Sequence, residues 1–219
     1  MKKTITLVLC LLFGATVLTG CSSHDEPYMK KSYTSEDELI SEVNIEVQDR
    51  EIELTRSEDK QIHIDYFENS KEYYDISVSE SGTLTMTAAS NKSWSDYIGG
   101  KAGADVRKIS LQLPDELLEN LTVSTTNENI SVTELKLNQN LTLLSNGGNI
   151  SFDGLNVGNE IILNVKNGNI EGIIAGSYDD YAISCNIKKG DSNLPSEKKN
   201  GAKKLSVTAN NGNVHIEIL

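Results

Sequence analysis

The sequence predicts an all-β chain. It reads as a single elongated domain of β-solenoid or β-roll type, made of stacked repeats of about 20 residues with a less regular N-terminal half. Three observations carry this. Apolar and polar residues alternate over most of the chain, the period of a strand with one buried face. Glycine (16 residues) and asparagine cluster between the alternating runs, while proline (3 residues) is scarce, a balance that favours strands and tight turns. Five segments of the second half align with one another at spacings of 20, 20, 22 and 22 residues.

The N-terminus reads as an address. Lys2 and Lys3 precede an apolar stretch from Ile5 to Val17, which has the length of a signal peptide and is too short to span a bilayer comfortably. Leu18-Thr19-Gly20-Cys21 follows and resembles the lipobox of bacterial lipoproteins. That resemblance implies cleavage before Cys21 and a lipid on its thiol, hence a membrane anchor on the extracytoplasmic face. Residues 1–20 are then the signal, and 21–40 a lipidated cysteine with a polar, acidic tether. Cys10 leaves with the signal and Cys21 carries lipid, so Cys185 remains as the lone thiol and no intramolecular disulfide is expected.

Charge narrows the partners. The chain holds 20 basic and 32 acidic residues, a net −12. Without Lys2 and Lys3 the balance is 18 against 32, or −14. Such a surface argues against nucleic acid, whose phosphates need Lys and Arg, and against a peripheral hold on anionic headgroups.

Residues 41–219 form the expected domain. Its first half carries the alternating runs Val43-Ile45-Val47, Ile52-Leu54, Ile62-Ile64-Tyr66, Ile76-Val78, Leu84-Met86 and Ile109-Leu111-Leu113. Asp49-Arg50, Ser57-Glu58-Asp59 and Ser81-Gly82 separate some of these runs. Residues 89–105 break the alternation and hold the only tryptophan of the chain. They read as a long loop, with Trp94 and Tyr97 as a candidate interaction surface. Pro114 ends the following strand because it cannot donate to a ladder, and 114–119 reads as one turn.

The repeats then begin. One column is Leu121, Leu141, Ile161, Ile183 and Leu205; a second is Val123, Leu143, Leu163, Cys185 and Val207; a third, smaller and mixed, is Thr125, Ser145, Val165, Ile187 and Ala209. These face inward, and Thr122, Ser124, Asn164, Ser184 and Ser206 between them face out. Each segment meets a turn rich in glycine and asparagine, residues that accept left-handed backbone. A second short strand follows, with inward pairs Ile130/Val132, Ile150/Phe152 and Val214/Ile216. Asn-Gly is also a hairpin signal, which keeps a meander as the competing arrangement. The constant register favours the solenoid, in which like residues lie above like. Asn129, Asn149, Asn169, Asp191 and Asn213 then form a ladder at one corner, their amides bonding to each other or to turn backbone. A calcium repeat is disfavoured, since its Asp and Gly recur every nine residues and here one rung alone is acidic.

With these residues in hand, the chain resembles the bacterial β-strand-repeat family of candidate adhesins, otherwise a domain of unknown function. The strand Ile109-Ser-Leu-Gln-Leu-Pro114 and the turns at 148–150, 168–170, 190–192 and 212–214 carry the resemblance over residues 41–219. It implies a solenoid-like fold at the cell envelope, with no agreed ligand and no catalytic residues. The chain departs from the pattern at Glu128, where glycine is usual, and at Ser192, where an apolar residue is usual.

Reactive groups are sparse. His24, His63 and His215 match no metal spacing, and Cys185 falls in an inward column. Parallel β-helices include polysaccharide-active enzymes, which need converging carboxylates. Here Glu171 stands alone on its face, Asp153 lies off that column, and Asp179-Asp180 with Tyr178 and Tyr181 reads as a solvated loop cluster. The expectation is a non-catalytic, cofactor-free lipoprotein that binds or scaffolds at the cell surface, with cell-wall polymer or envelope protein as partner. A structural or sensory part of an envelope-stress system is the alternative, and a β-helix enzyme ranks below both.

Overall fold

Strands form wherever the alternation is clean. The computed structural model describes residues 26–35, 39–97, 101–115 and 118–219. Its first part contains β1 (Met29–Thr34), β2 (Glu42–Glu46), β3 (Glu51–Arg56), β4 (His63–Glu68), β5 (Glu72–Val78), β6 (Thr83–Ser90) and β7 (Lys108–Leu113). The repeats supply β8 (Asn120–Thr125), β9 (Ile130–Thr133), β10 (Lys136–Leu137), β11 (Asn140–Ser145), β12 (Ile150–Val157), β13 (Glu160–Asn167) and β14 (Ile170–Ile174). The C-terminal part adds β15 (Tyr181–Lys189), β16 (Glu197–Lys198), β17 (Lys203–Asn211) and β18 (Val214–Ile218). The described helical pieces are short 3-10 turns. Cys21 and part of the turn at 114–119 lie outside the described residues.

The repeats stack in parallel. Leu141 lies opposite both Leu121 and Ile161, and Leu143 opposite Val123 and Leu163. On the other sheet Ile150 lies opposite Ile130 and Ile170. A hairpin meander would have made these pairs antiparallel, so the arrangement is solenoid-like. Each coil places one strand in the sheet β16-β15-β17-β13-β11-β8-β2-β6-β5 and, past its corner, one in the sheet β1-β4-β7-β3-β9-β12-β14-β18. The buried faces of both sheets share one aliphatic core, with Leu141, Leu143, Ile161, Leu163, Ile150 and Ile170 fully enclosed. Each such side chain contributes about 1.5–3 kcal/mol of burial.

The coils do not follow chain order. β2 sits between β6 and β8, and β3 between β7 and β9, so the first coil lies inside the stack. At the other end β17 lies between β13 and β15. The last coil is therefore inserted beneath the one that precedes it in sequence. Antiparallel pairs lie at the two ends of the stack: β1 with β4, β4 with β7 and β5 with β6 at one, β15 with β16 at the other.

Close stacking explains the corner glycines. A Cβ on Gly168 would lie 2.2 Å from the carbonyl oxygen of Gly148, and one on Gly212 only 1.9 Å from that of Gly168. No side chain fits such a gap. The smaller third column has a reason too. Ser145 donates to the carbonyl of Glu128 at 3.0 Å and accepts from the N–H of Gly148 at 2.9 Å, so this buried hydroxyl ties adjacent corners together. Thr125 does the same one coil away, donating to the carbonyl of Arg50 at 2.8 Å.

Both departures from the repeat pattern have structural causes. Glu128 occupies the corner next to the first coil, where it forms an ion pair with Arg107. Ser192 makes a single bridge to Val214, and the strand that follows, β16, returns to the sheet of β15 rather than crossing to the other. Instead the Asn193 amide donates to the carbonyl of Ile216 at 2.8 Å and accepts from its N–H at 3.0 Å, so one side chain stands in for a strand along the β18 edge. The expected solvated cluster at 178–181 divides. Tyr178, Asp179 and Asp180 form a 3-10 turn capped by Ser177, whereas Tyr181 opens β15 and is fully buried. Its position in the inward register of β15 draws it into the core.

Candidate functional site

The corner column carries the first candidate. Asn129 accepts the backbone N–H of Asn149 through its Oδ1 at 2.9 Å, and Asn149 accepts that of Asn169 at 2.8 Å. Asn169 then accepts the N–H of Asn213 at 2.9 Å, and Asn213 that of Asp191 at 3.0 Å. The structure brings all five residues together. The bonds run from side chain to next-coil backbone, and Asn213 precedes Asp191 because the last coil is inserted. These bonds satisfy N–H groups that a stacked corner would leave open. They commit the Oδ1 acceptors of the ladder to holding coils together.

A second ladder, which the repeat spacing of Asn120 and Asn140 foreshadows, runs along the opposite corner. Asn140 donates to Asn120 at 2.8 Å, and Asn120 donates to Glu42 at 2.7 Å. Asn159 extends it by donating to Asn140 at 2.8 Å.

At the coil containing β6 and β7 the short corner is replaced by residues 91–107. This segment contains 3-10 turns at Trp94–Tyr97 and Ala104–Val106. Trp94 projects into solvent, 79% exposed, while the Tyr97 side chain lies outside the described residues. Beside this loop are two hollows of about 350 Å³ and 320 Å³ that share Lys92, Asp96, Lys101 and Ala102. Together they form one cleft, floored by β5 and the β2–β3 corner.

Its floor is a buried charge network. Arg50 is 5% exposed. Its guanidinium donates to Tyr74 Oη at 2.6 Å, to Glu72 at 3.1 Å and to the backbone carbonyls of Gln48 and Asp49. Glu72 also takes Lys92 and the Tyr28 hydroxyl. Burial works to raise the Glu72 carboxyl, but Lys92, Tyr28 and Arg50 outweigh it and hold it below its ordinary value. Asp49 behaves alike: burial opposes its charge, while Asn127, Lys101 and Thr126 hold it low. Asp49 itself adopts a left-handed backbone, φ 52°, as it turns the corner.

Asp96 and Arg107 help to pin the loop. Asp96 takes Lys71 and accepts the Ser93 N–H at 2.8 Å and hydroxyl at 2.9 Å, which lowers its carboxyl to about 2. Arg107 donates to the Ala102 carbonyl at 2.9 Å and pairs with Glu128. Sequence reading singled out Trp94 and Tyr97 here but missed Arg50, Glu72, Lys101 and Arg107. Asp49-Arg50 looked like a plain strand separator, and only the fold carries Glu72 to it.

The remaining reactive groups lie elsewhere. His63 bridges Thr34 Oγ1 at 3.1 Å and Asp59 Oδ1 at 3.0 Å on the outer face of the sheet that begins with β1 and β4. Cys185 is buried, with Ser192 Oγ 3.5 Å away. Among the described residues no group of three or more His, Cys, Asp or Glu side chains is placed to hold a metal ion.

The model of the family described as Toastrack DUF4097 matches residues 40–218. A solved structure described as a candidate cell-adhesion protein of Clostridium sporogenes is 14% identical with a TM-score of 0.60, and covers 87% of this chain and 100% of its own. That likeness shows a shared fold. A candidate adhesin of Bacteroides fragilis is 13% identical over 89% of this chain and 98% of its own, with a TM-score of 0.37. One from Parabacteroides merdae is 16% identical over 88% of this chain and 97% of its own, with a TM-score of 0.28. No curated protein matches the chain.

Proposed function

The chain belongs to the Toastrack DUF4097 family, and from that premise we propose that it is a non-catalytic binding module of the cell envelope. A lipid on Cys21 holds it to the outer side of the membrane. The cleft between the 91–107 loop and the β2–β3 corner, with Trp94 beside it, receives a cell-wall polymer or an envelope protein. One observation carries the reading. The coil corners spend their side-chain acceptors on one another, while the 91–107 loop abandons the repeat to wall a cleft and carries an exposed tryptophan between the lining residues Lys92 and Asp96. Exposed aromatics beside polar clefts are the usual anchors of recognition.

The electrostatics support binding over catalysis. Glycan hydrolysis needs a carboxyl raised enough to donate a proton. Asp49, Glu72 and Asp96 are all lowered, so they remain ionised and hold their cations.

The test separates anchor from cleft. Cys21→Ala is expected to abolish acyl labelling and membrane partitioning, and Trp94→Ala to leave both intact while reducing retention of the purified protein on isolated cell envelopes. Acyl labelling of Cys21→Ala at the wild-type level would remove the anchor. Unchanged envelope retention by Trp94→Ala would remove the cleft.

A further inference from the structure

The cleft gathers basic side chains in a chain whose formal charge is −12. Arg50, Lys71, Lys92, Lys101 and Arg107 all line it. Glu26, Asp49, Glu72 and Asp96 line it too, but in two of the ion pairs the lysine is clearly the more exposed partner. Lys101 has a side chain 54% exposed above Asp49 at 34%, and Lys71 is 38% exposed above Asp96 at 19%. Glu72 at 18% and Lys92 at 21% are enclosed alike, with Arg50 deeper at 6%. Glu26, at the far edge, is engaged by the Ser70 hydroxyl and N–H. The carboxylates thus hold the ammonium groups in place, and at Lys101 and Lys71 the ammonium is the partner that meets solvent.

Resting on the binding reading above, we infer that the cleft takes an acidic sugar or polyol chain. Its phosphate or carboxylate groups lie on Lys71, Lys92 and Lys101, and its carbon face lies on Trp94. Lysine presents a point charge that suits spaced anions along a chain, whereas a single planar carboxylate would call for an arginine fork. A surrounding surface of the opposite sign excludes acidic chains everywhere else and so directs them to this cleft.

Trp94 is the only tryptophan of the chain, so its fluorescence reports this site alone. The full-length protein, purified in detergent, is titrated with a glycerol phosphate oligomer, an oligogalacturonate and a neutral maltohexaose. Vesicles of phosphatidylglycerol form a separate arm. The expected result is a saturable Trp94 response to one or both acidic oligomers, weakened by salt as exposed charges are screened. Lys101→Glu is expected to weaken it about tenfold. Lys199→Glu, the same change of charge at an exposed site in the C-terminal part, is expected to leave it unchanged. Thermal melts confirm that both variants fold.

An equal or stronger response to maltohexaose would overturn the acidic class while leaving the cleft as a binding site. A response to vesicles alone would overturn the polymer in favour of a membrane surface. Equal weakening by both lysine variants would reduce the effect to overall charge and overturn the site. Silence with every probe would also overturn this inference, whereas the cleft reading is decided independently by envelope retention of Trp94→Ala.

Discussion

At the scale of single residues, stacking makes glycine costlier to change than asparagine. Gly168→Ala puts a Cβ 2.2 Å from a backbone carbonyl oxygen that cannot swing away. Such overpacking costs about 1–3 kcal/mol. Asn149→Ala removes one acceptor from the Asn169 N–H, but this corner is exposed and water can replace part of the bond. Its cost is expected at about 0.5–1 kcal/mol. Inside the stack, Leu163→Ala leaves a cavity between Leu143 and Val207 and is expected to cost about 2–5 kcal/mol, far above Thr142→Ala on the outer face. Denaturant unfolding of the four variants checks the ranking. A larger loss for Asn149→Ala than for Gly168→Ala would mean that the ladder, not the close approach, holds the corner.

At the scale of elements, two segments depend on polar contacts more than on burial. β1 is exposed along nearly its whole length, with Tyr33 its one partly buried side chain. Lys30 and Ser32 both reach Asp65, at 2.9 Å and 2.5 Å, and Thr34 reaches His63. With little apolar area to hold it, this strand is expected to open well before the core. Hydrogen exchange is predicted to be fastest at 29–34 and slowest in β11 and β13; equal protection would refute the argument. The 91–107 loop depends on carboxylates. Asp96 is lowered to about 2, chiefly by Lys71 and then by Ser93, and Asp49 is lowered too. A carboxylate with a depressed folded value gives stability that is complete above its ordinary range, about 4, and lost as pH falls towards 2. Trp94 emission is therefore predicted to shift between about pH 4 and 2, while the far-ultraviolet signal of the sheets follows only when the core gives way. A shift already complete at pH 5 would place the loop's hold on other groups.

At the scale of the whole molecule, the order of coils decides what a truncation does. In a stack built in chain order, deleting the last coil would remove an end and leave the rest standing. Here β17 is interior, bonded on both sides, while β18 covers the edge of β14. Removing residues 203–219 takes away the seat of β15 and uncovers Ile161, Leu163 and Ile170. The truncated chain is predicted to lose cooperative unfolding in β13 to β15, with a drop in midpoint beyond that of any single core substitution. A midpoint near that of the full chain would contradict the inserted order.

The sequence by itself determined the strand period, the inward columns and their 20-residue register, because alternation and glycine turns are local properties of the chain. It marked the ladder residues and the loop around Trp94 for the same reason: repetition reveals equivalent positions, and a break in repetition reveals an exception. Stacking order lay beyond it. Ile183 and Leu205 fit the same column equally well, and only the packing of whole coils places β17 inside β15. The cleft was hidden on the same ground. Arg50, Glu72 and the loop residues Lys101 and Arg107 come from three separate segments that carry no repeat, and they meet because the first coil is buried within the stack while β5 is carried to its end. Local pattern fixes which face of a strand is apolar; which strand comes next depends on loop closure and the fit of entire surfaces, properties that exist only once the chain is folded.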